Sequence, residues 1–403
     1  MTSTESAAGK PRLLTPTFAL AWVANFCQFL VFYLSVTTMA LYAVESFGAS
    51  DTVGGFASSA FVLGATCMRV FSGWIVDRVG HKKAALTSLV FVTVVAVAYF
   101  FAHNVAILII VRMLHGAGYA LTSTALMAVA QSVIPHERRA EGTGYFALGT
   151  TLATAFGPAI GLFLANNIGY NTLFGAALAA NIVSLVLALI LRYPAEPAGE
   201  EKPSFKLRNA IHPNVVPIGV FMLLVGIAYS GVVTYLNAYA RKEDLATGAG
   251  LFFIAYALVM LIMRFVLGRI QDHHGDNAVM YLGLGSFAIA LLVMGFPTND
   301  AMLVAAGAFT GLGYGTLSPA CQAISVRSVP ATQMGAGIST MFLLMDFGIG
   351  AAPFGLGPIV SATGFGAMYR ILAGLIVIAA VYYFFVHGRL PKAKSHHLEY
   401  DNA

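Results

Sequence analysis

The chain has 403 residues, of which 58% belong to the set AVILMFWYC and only 10% are charged, against about a quarter charged in a soluble domain. Too few polar residues remain to cover a soluble surface of this size, which excludes a soluble protein and points to a bilayer as the solvent. The net charge of +5 arises from an uneven distribution of Lys and Arg over the loops, so it calls for no nucleic-acid partner.

The first fifteen residues are polar, and the apolar run after them is longer than the hydrophobic region of a cleavable signal peptide. That run is expected to stay in the membrane as a first helix. Crossing about 30 Å of hydrocarbon takes about 20 apolar residues. Twelve such runs occur, near 16–44, 52–76, 84–102, 105–133, 142–166, 170–192, 215–240, 247–271, 277–296, 300–328, 334–361 and 365–388. The long polar stretch between the sixth and seventh reads as a linker. The expected organisation is a six-helix N-terminal half (1–192), a linker (193–214), a six-helix C-terminal half (215–388) and a tail (389–403), all-α throughout.

Arg241, Lys242 and Arg370 fall on one face of this layout, and Arg69, Arg112 and Arg264 lie within runs. The remaining sixteen of the 22 Lys and Arg share the opposite face with both termini and the linker. The positive-inside rule puts that face in the cytoplasm, as for a protein of a cell's inner membrane. Cys27, Cys67 and Cys321 all sit in apolar runs, so neither disulfides nor a metal site is expected. No cofactor is implied, and nothing calls for more than a monomer.

Internal repetition is the most informative feature. A shift of 195 residues aligns the two halves without gaps. Met68-Arg69 meets Met263-Arg264, and Gly73, Asp77 and Gly80 meet Gly268, Asp272 and Gly275. Gly116-x-Gly118-Tyr119 meets Gly311-x-Gly313-Tyr314, and Pro158 meets Pro353. An even number of helices per repeat gives both halves the same topology, with a cavity between them.

The loop after the second run reads Gly73-Trp-Ile-Val-Asp77-Arg78-Val-Gly80-His81-Lys82-Lys83. It resembles the G-x-x-x-D-[RK]-x-G-[RK]-[RK] pattern of the major facilitator superfamily, with His81 where Arg or Lys is usual. A second, more degraded copy runs from Gly268 through Asp272 and His273 to Gly275. The resemblance covers essentially the whole chain. It implies a twelve-helix secondary transporter of a small organic solute, working by alternating access, and not an enzyme. In that reading the pattern is a gating latch. Gly73 admits a neighbouring helix closely, Asp77 accepts bonds from Arg78 or from a facing helix N-terminus, and Gly80 permits the turn. Arg78 and Lys82 equally suit lipid headgroups.

Arg112-Met-Leu-His115-Gly116 in the fourth run is similar to the R-x-x-Q-G pattern of family antiporters. In the fifth run Gly144, Gly157, Pro158 and Gly161 resemble the antiporter glycine-proline pattern, with Ala153 and Leu162 departing from it. The resemblance implies export; ordinary helix packing is the plain alternative for these small residues.

Charge inside the bilayer is costly and asks for a reason. Asp346 is the single acid clear of the run ends, and its repeat partner is Thr151, so it breaks the internal symmetry. A carboxyl there suits a proton-coupled antiporter, taking a proton from one side and releasing it to the other. The approach of Arg112 or of a cationic substrate is expected to release that proton, and His115, one turn later, suits either a titrating group or a packed hydrogen-bonding residue. Arg69 and Arg264 suit either snorkelling and interdomain pairing or a substrate path. The family's cavity-lining helices here carry Asn25, Gln28, Tyr33, Tyr229, Asn237, Tyr256, Tyr314 and Gln322, candidate substrate contacts or interfacial residues. Import or facilitated passage of a sugar or organic acid is the open alternative to proton-driven export.

Overall fold

A computed structural model of the chain describes residues 13–36, 38–49, 51–193, 211–296 and 299–394. Most of the expected linker and the end of the tail lie outside the described residues. Twelve long apolar helices follow in order: α1 Pro16–Val36, α2 Asp51–Val79, α3 His81–Ala98, α4 Val105–Val133, α5 Arg139–Asn167, α6 Tyr170–Ile190, α7 Val216–Lys242, α8 Ala246–Arg264, α9 Asp276–Gly295, α10 Asp300–Arg327, α11 Met334–Thr363 and α12 Phe365–Tyr383. No strand occurs among the described residues. In hydrocarbon a helix satisfies its own backbone bonds, which is why these runs fold this way.

Two runs are interrupted. The first, expected over 16–44, ends at Val36, and a short helix, Met39–Phe47, follows. The hydroxyls of Ser35 and Thr38 donate back to the carbonyls of Val31 and Leu34 at 2.9 and 3.0 Å, competing with the continuing ladder. The eighth, expected to continue to 271, breaks after Arg264. There the amides of Phe265 and Val266 reach back only three residues, to Ile262 and Met263. A short helix, Leu267–His274, then carries the second copy of the latch.

The 195-residue repeat is visible in three dimensions. Asn104 and Asn299 cap α4 and α10, their side chains accepting from Ile107 and Met302 amides at 2.9 and 3.0 Å. Gly80 and Gly275, at φ +95° and +82°, turn the chain where a side chain would be strained. In each half α1 packs on α5 and α2 on α4, or their counterparts α7 on α11 and α8 on α10. A Cβ on Gly116 would lie 1.9 Å from the Phe61 carbonyl oxygen, and one on Gly311 would lie 2.4 Å from that of Tyr256. Small residues thus set the spacing of the α2–α4 and α8–α10 pairs.

Helices α3, α6, α9 and α12 lie at the periphery and leave large apolar side chains such as Val94, Leu189, Leu292 and Ile378 exposed. A hydrophobic band of this kind is a surface for lipid. The two halves meet through α2 against α11, α4 against α11, and α5 against α8 and α10.

Candidate functional site

The two sequence latches are reciprocal clasps between the halves. Asp77, near the end of α2, accepts from the backbone amides of Gly335 and Ala336 at 2.8 Å each, at the N-terminus of α11. Asp272 accepts in the same way from Ala140 and Glu141 at 2.9 and 2.8 Å, at the N-terminus of α5. Of the two partners expected for Asp77, the facing helix end takes it. A helix N-terminus presents unsatisfied N–H groups and partial positive charge, so a carboxylate is a strong match. Gly73 and Gly268 make this possible. Their Cβ atoms would sit 2.5 Å from the Gly335 carbonyl oxygen and 2.6 Å from the Glu141 Cα.

The basic residues of the latch stay at the rim. Arg78 lies over Trp74 and Lys82 over Tyr193, 5.7 and 5.9 Å from the ring centroids. Beside the second clasp, Glu141 accepts from Arg138 and from Arg269 of the other half, each at 2.7 Å.

One layer further in, the halves are joined by an ion pair. Arg69 is 3% exposed, and its Nε donates to Asp346 Oδ2 at 3.2 Å. Its Nη1 reaches the Ala120 carbonyl, Ser123 Oγ and Thr124 Oγ1 at 3.1 to 3.3 Å. The guanidinium also lies 4.7 Å from the Phe342 ring centroid. Ser339 Oγ donates to the Arg69 carbonyl and pairs with Ser72 Oγ at 3.0 Å, so α2, α4 and α11 share one polar knot. The Asp346 side chain keeps 22% exposure.

Several sequence expectations are corrected here. Arg69 is the cation at Asp346, not Arg112. The Arg112 guanidinium is fully buried within the N-terminal half, donating to the carbonyls of Ala57 and Ser58 at 3.3 and 2.8 Å and lying over the Phe61 ring. His115 is packed beside it, Nδ1 3.2 Å from the Tyr99 hydroxyl. Neither Arg69 nor Arg264 snorkels, since both are buried. Their polar or apolar company, not their depth alone, decides that.

The candidate cavity residues divide. Tyr33 on α1 is within hydrogen-bonding reach of the Thr154 hydroxyl and within electrostatic range of Asp346. Tyr229 on α7 stacks on Tyr314 on α10 at 3.6 Å between centroids, and its hydroxyl meets that of Tyr256 on α8 at 3.4 Å. Tyr229, Tyr256 and Tyr314 form an aromatic wall in the C-terminal half, with Tyr33 of α1 in electrostatic range of it. Gln28, by contrast, donates to Asn181 at 2.9 Å inside the N-terminal half, and Asn25 is buried there too. Gln322 donates to Ser318 at 3.4 Å. The Asn237 side chain lies outside the described residues.

In α5, Gly157 and Gly161 back onto α1, their Cβ positions 2.4 Å from Tyr33 Cβ and 2.3 Å from the Leu34 carbonyl oxygen. Pro158 lies inside that helix. Only Gly144 of this set faces the other half, 3.4 Å from the Arg264 carbonyl oxygen. Sequence reasoning missed Ser72, Ser123, Thr124 and Ser339, the hydroxyls around Arg69. Their signal was available: short polar residues set in three otherwise apolar runs.

The chain matches the family model described as Major Facilitator Superfamily over residues 21–248 and again over 242–399. The multi-drug resistance efflux pump PmrA of Streptococcus pneumoniae is 25% identical over 338 residues, 80% of this chain and 83% of the relative. The multidrug resistance protein MdtG of Klebsiella pneumoniae is 25% identical over 395 residues, covering 94% and 95%. Among solved structures, the human organic anion transporter MFSD10 superposes with a TM-score of 0.74 at 15% identity, covering 91% of this chain and 98% of that one.

Proposed function

The chain belongs to the major facilitator superfamily, and from that premise we propose that it exports a small organic solute across a cell's inner membrane in exchange for protons. The Arg69–Asp346 pair carries the reading. It is an ion pair between halves, set one layer behind a closed clasp, and its acid keeps partial exposure. The names of the relatives, drug efflux pumps, support the outward direction.

The mechanism follows from what a proton does to that pair. While Asp346 is charged, its attraction to Arg69 adds to the two clasps and holds the halves together on the latch side. Protonation removes the charge and weakens the bond, so the latch side opens. With both termini and the latches in the cytoplasm, as the Lys and Arg distribution indicates, the order is fixed. A proton entering from outside unlocks the cytoplasmic side; its release there lets solute-loaded protein close again. Tyr33, Tyr229, Tyr256 and Tyr314 supply an apolar wall with hydroxyl tips, suited to an amphipathic solute.

The test is proteoliposome transport with an imposed pH gradient, screened over a broad solute library, wild type beside Asp346→Asn. The mutant is expected to lose pH-driven accumulation while keeping exchange of solute for solute. If it concentrates solute to the wild-type level, Asp346 is structural. If wild type ignores both pH gradient and membrane potential, the protein is a facilitator.

A further inference from the structure

Arg264 is the repeat counterpart of Arg69, and the two arginines live in opposite circumstances. Arg69 has a full set of partners in Asp346, Ala120, Ser123 and Thr124. Shifted by 195 residues, those positions hold Thr151, Gly315, Ser318 and Pro319. The acid is gone and one hydroxyl has become a proline. Ser72 and Ser339, which complete the first knot, correspond to Leu267 and Gly144. Thr151 spends its hydroxyl on the Ala147 carbonyl of its own helix at 3.1 Å.

Arg264 is nevertheless buried, at 8% exposure. Among the described residues, neither its Nε nor its Nη1 has a hydrogen-bond partner. It lines a cavity of about 20 Å³ between the halves, shared with Ala140 and Gly144 of α5, Leu267, and Thr316 and Pro319 of α10. Thr316 Oγ1, in the same wall, also lacks a partner among the described residues. The nearby acids are engaged elsewhere. Asp272 caps α5, Asp276 binds Arg327 and His387, and Glu141 holds Arg138 and Arg269. A water molecule would answer the hydrogen bonds but not the charge, and a buried cation calls for a counter-charge.

We propose that the Arg264 cavity is an anion subsite, in which a carboxylate-like group supplied from outside the chain takes the place that Asp346 fills in the other half. The space admits a small ion or one terminal carboxylate, not a whole organic molecule. The ligand is therefore either the acidic end of the transported solute, its body lying along the tyrosine wall, or a free inorganic anion. As a statement about the solute, this rests on the transporter reading above, and it narrows that solute to one carrying an anionic group.

The test reads binding and leaves transport aside. The full chain in lipid nanodiscs is unfolded thermally while sodium acetate or sodium chloride is titrated at constant ionic strength, balanced by a sulfonate too bulky for the cavity. Wild type should show a saturable rise in its unfolding midpoint. Arg264→Gln should lose that rise. Thr151→Asp, which installs the missing acid, should also lose it while its midpoint without anion matches or exceeds that of wild type. A larger response to acetate assigns the site to an organic carboxylate, and a larger one to chloride assigns it to an inorganic ion. No anion response in wild type, or an undiminished one in Arg264→Gln or Thr151→Asp, overturns the proposal. Loss of proton coupling at Asp346 would leave this result untouched, so the two readings fail separately.

Discussion

Replacing Asp77 with Asn tests the clasp at its centre. The carboxylate accepts two backbone amides, from Gly335 and Ala336, at 2.8 Å each. Asn keeps one carbonyl oxygen for one of them and turns an NH₂ group toward the other. One charge-assisted bond is lost, worth about 1.5–3 kcal/mol, together with a negative charge at the N-terminus of α11, worth about 0.3–1 kcal/mol. A net loss of about 2–4 kcal/mol shifts the balance between latch-closed and latch-open forms by about 30- to 900-fold. Ser339, fully buried between α2 and α11, reports on that balance. In a background lacking Cys27, Cys67 and Cys321, Ser339→Cys should react with a small maleimide faster by that factor when Asp77 is Asn. Transport should slow strongly with abundance near normal, because the residue acts in the cycle and not in the fold. If labelling and transport both match the parent, the clasp does not control opening.

Gly73→Ala and Gly268→Ala should act like Asp77→Asn. Each methyl would fall 2.5–2.6 Å from the opposing backbone, an overpacking of about 1–3 kcal/mol, and Ser339→Cys labelling in the Gly73 variant checks it. Arg69→Gln should lower the thermal unfolding midpoint. It strands a carboxylate, at a cost toward the lower end of about 3–5 kcal/mol because Asp346 is 22% exposed, and the double variant should recover part of the loss. For topology, Lys83→Cys should be shielded from an impermeant thiol reagent in intact cells and His103→Cys should react; labelling of Lys83→Cys from outside would reverse the orientation.

The clasps were legible because everything they need lies within eight residues of chain: a glycine to admit the neighbour, an acid one turn on, a second glycine to turn. The twelve helices were legible for a similar reason, since length and apolarity are local properties. The Arg69–Asp346 pair was not, because its members are 277 residues apart and belong to different halves. The repeat nevertheless held the clue. Asp346 breaks the symmetry at Thr151, and Thr124 against Pro319 and Ser72 against Leu267 break it again around Arg69. Arg112 matches the family pattern, yet its Nε and Nη2 are held by the carbonyls of Ala57 and Ser58 within the N-terminal half. The break after Arg264 and the early end of α1 escaped because a short change in hydrogen bonding leaves the hydropathy of a run unaltered.

Each clasp is specified from one side only. Asp77 and Asp272 must be acids, but what they grip is main chain, and every residue except proline offers an amide there. Identity at positions 140, 335 and 336 is therefore free as far as the bond is concerned, restrained by the bulk that the close approach of Gly73 or Gly268 allows, while Glu141 is also held by its pairs with Arg138 and Arg269. A duplicated ancestor could diverge on its receiving helices without losing the ability to shut. Two of the differences that separate the halves, Ser339 against Gly144 and Asp346 against Thr151, lie on those same two helices, α11 and α5. Closure is written in backbone, which left the side chains above it free to take up different chemistry in each half.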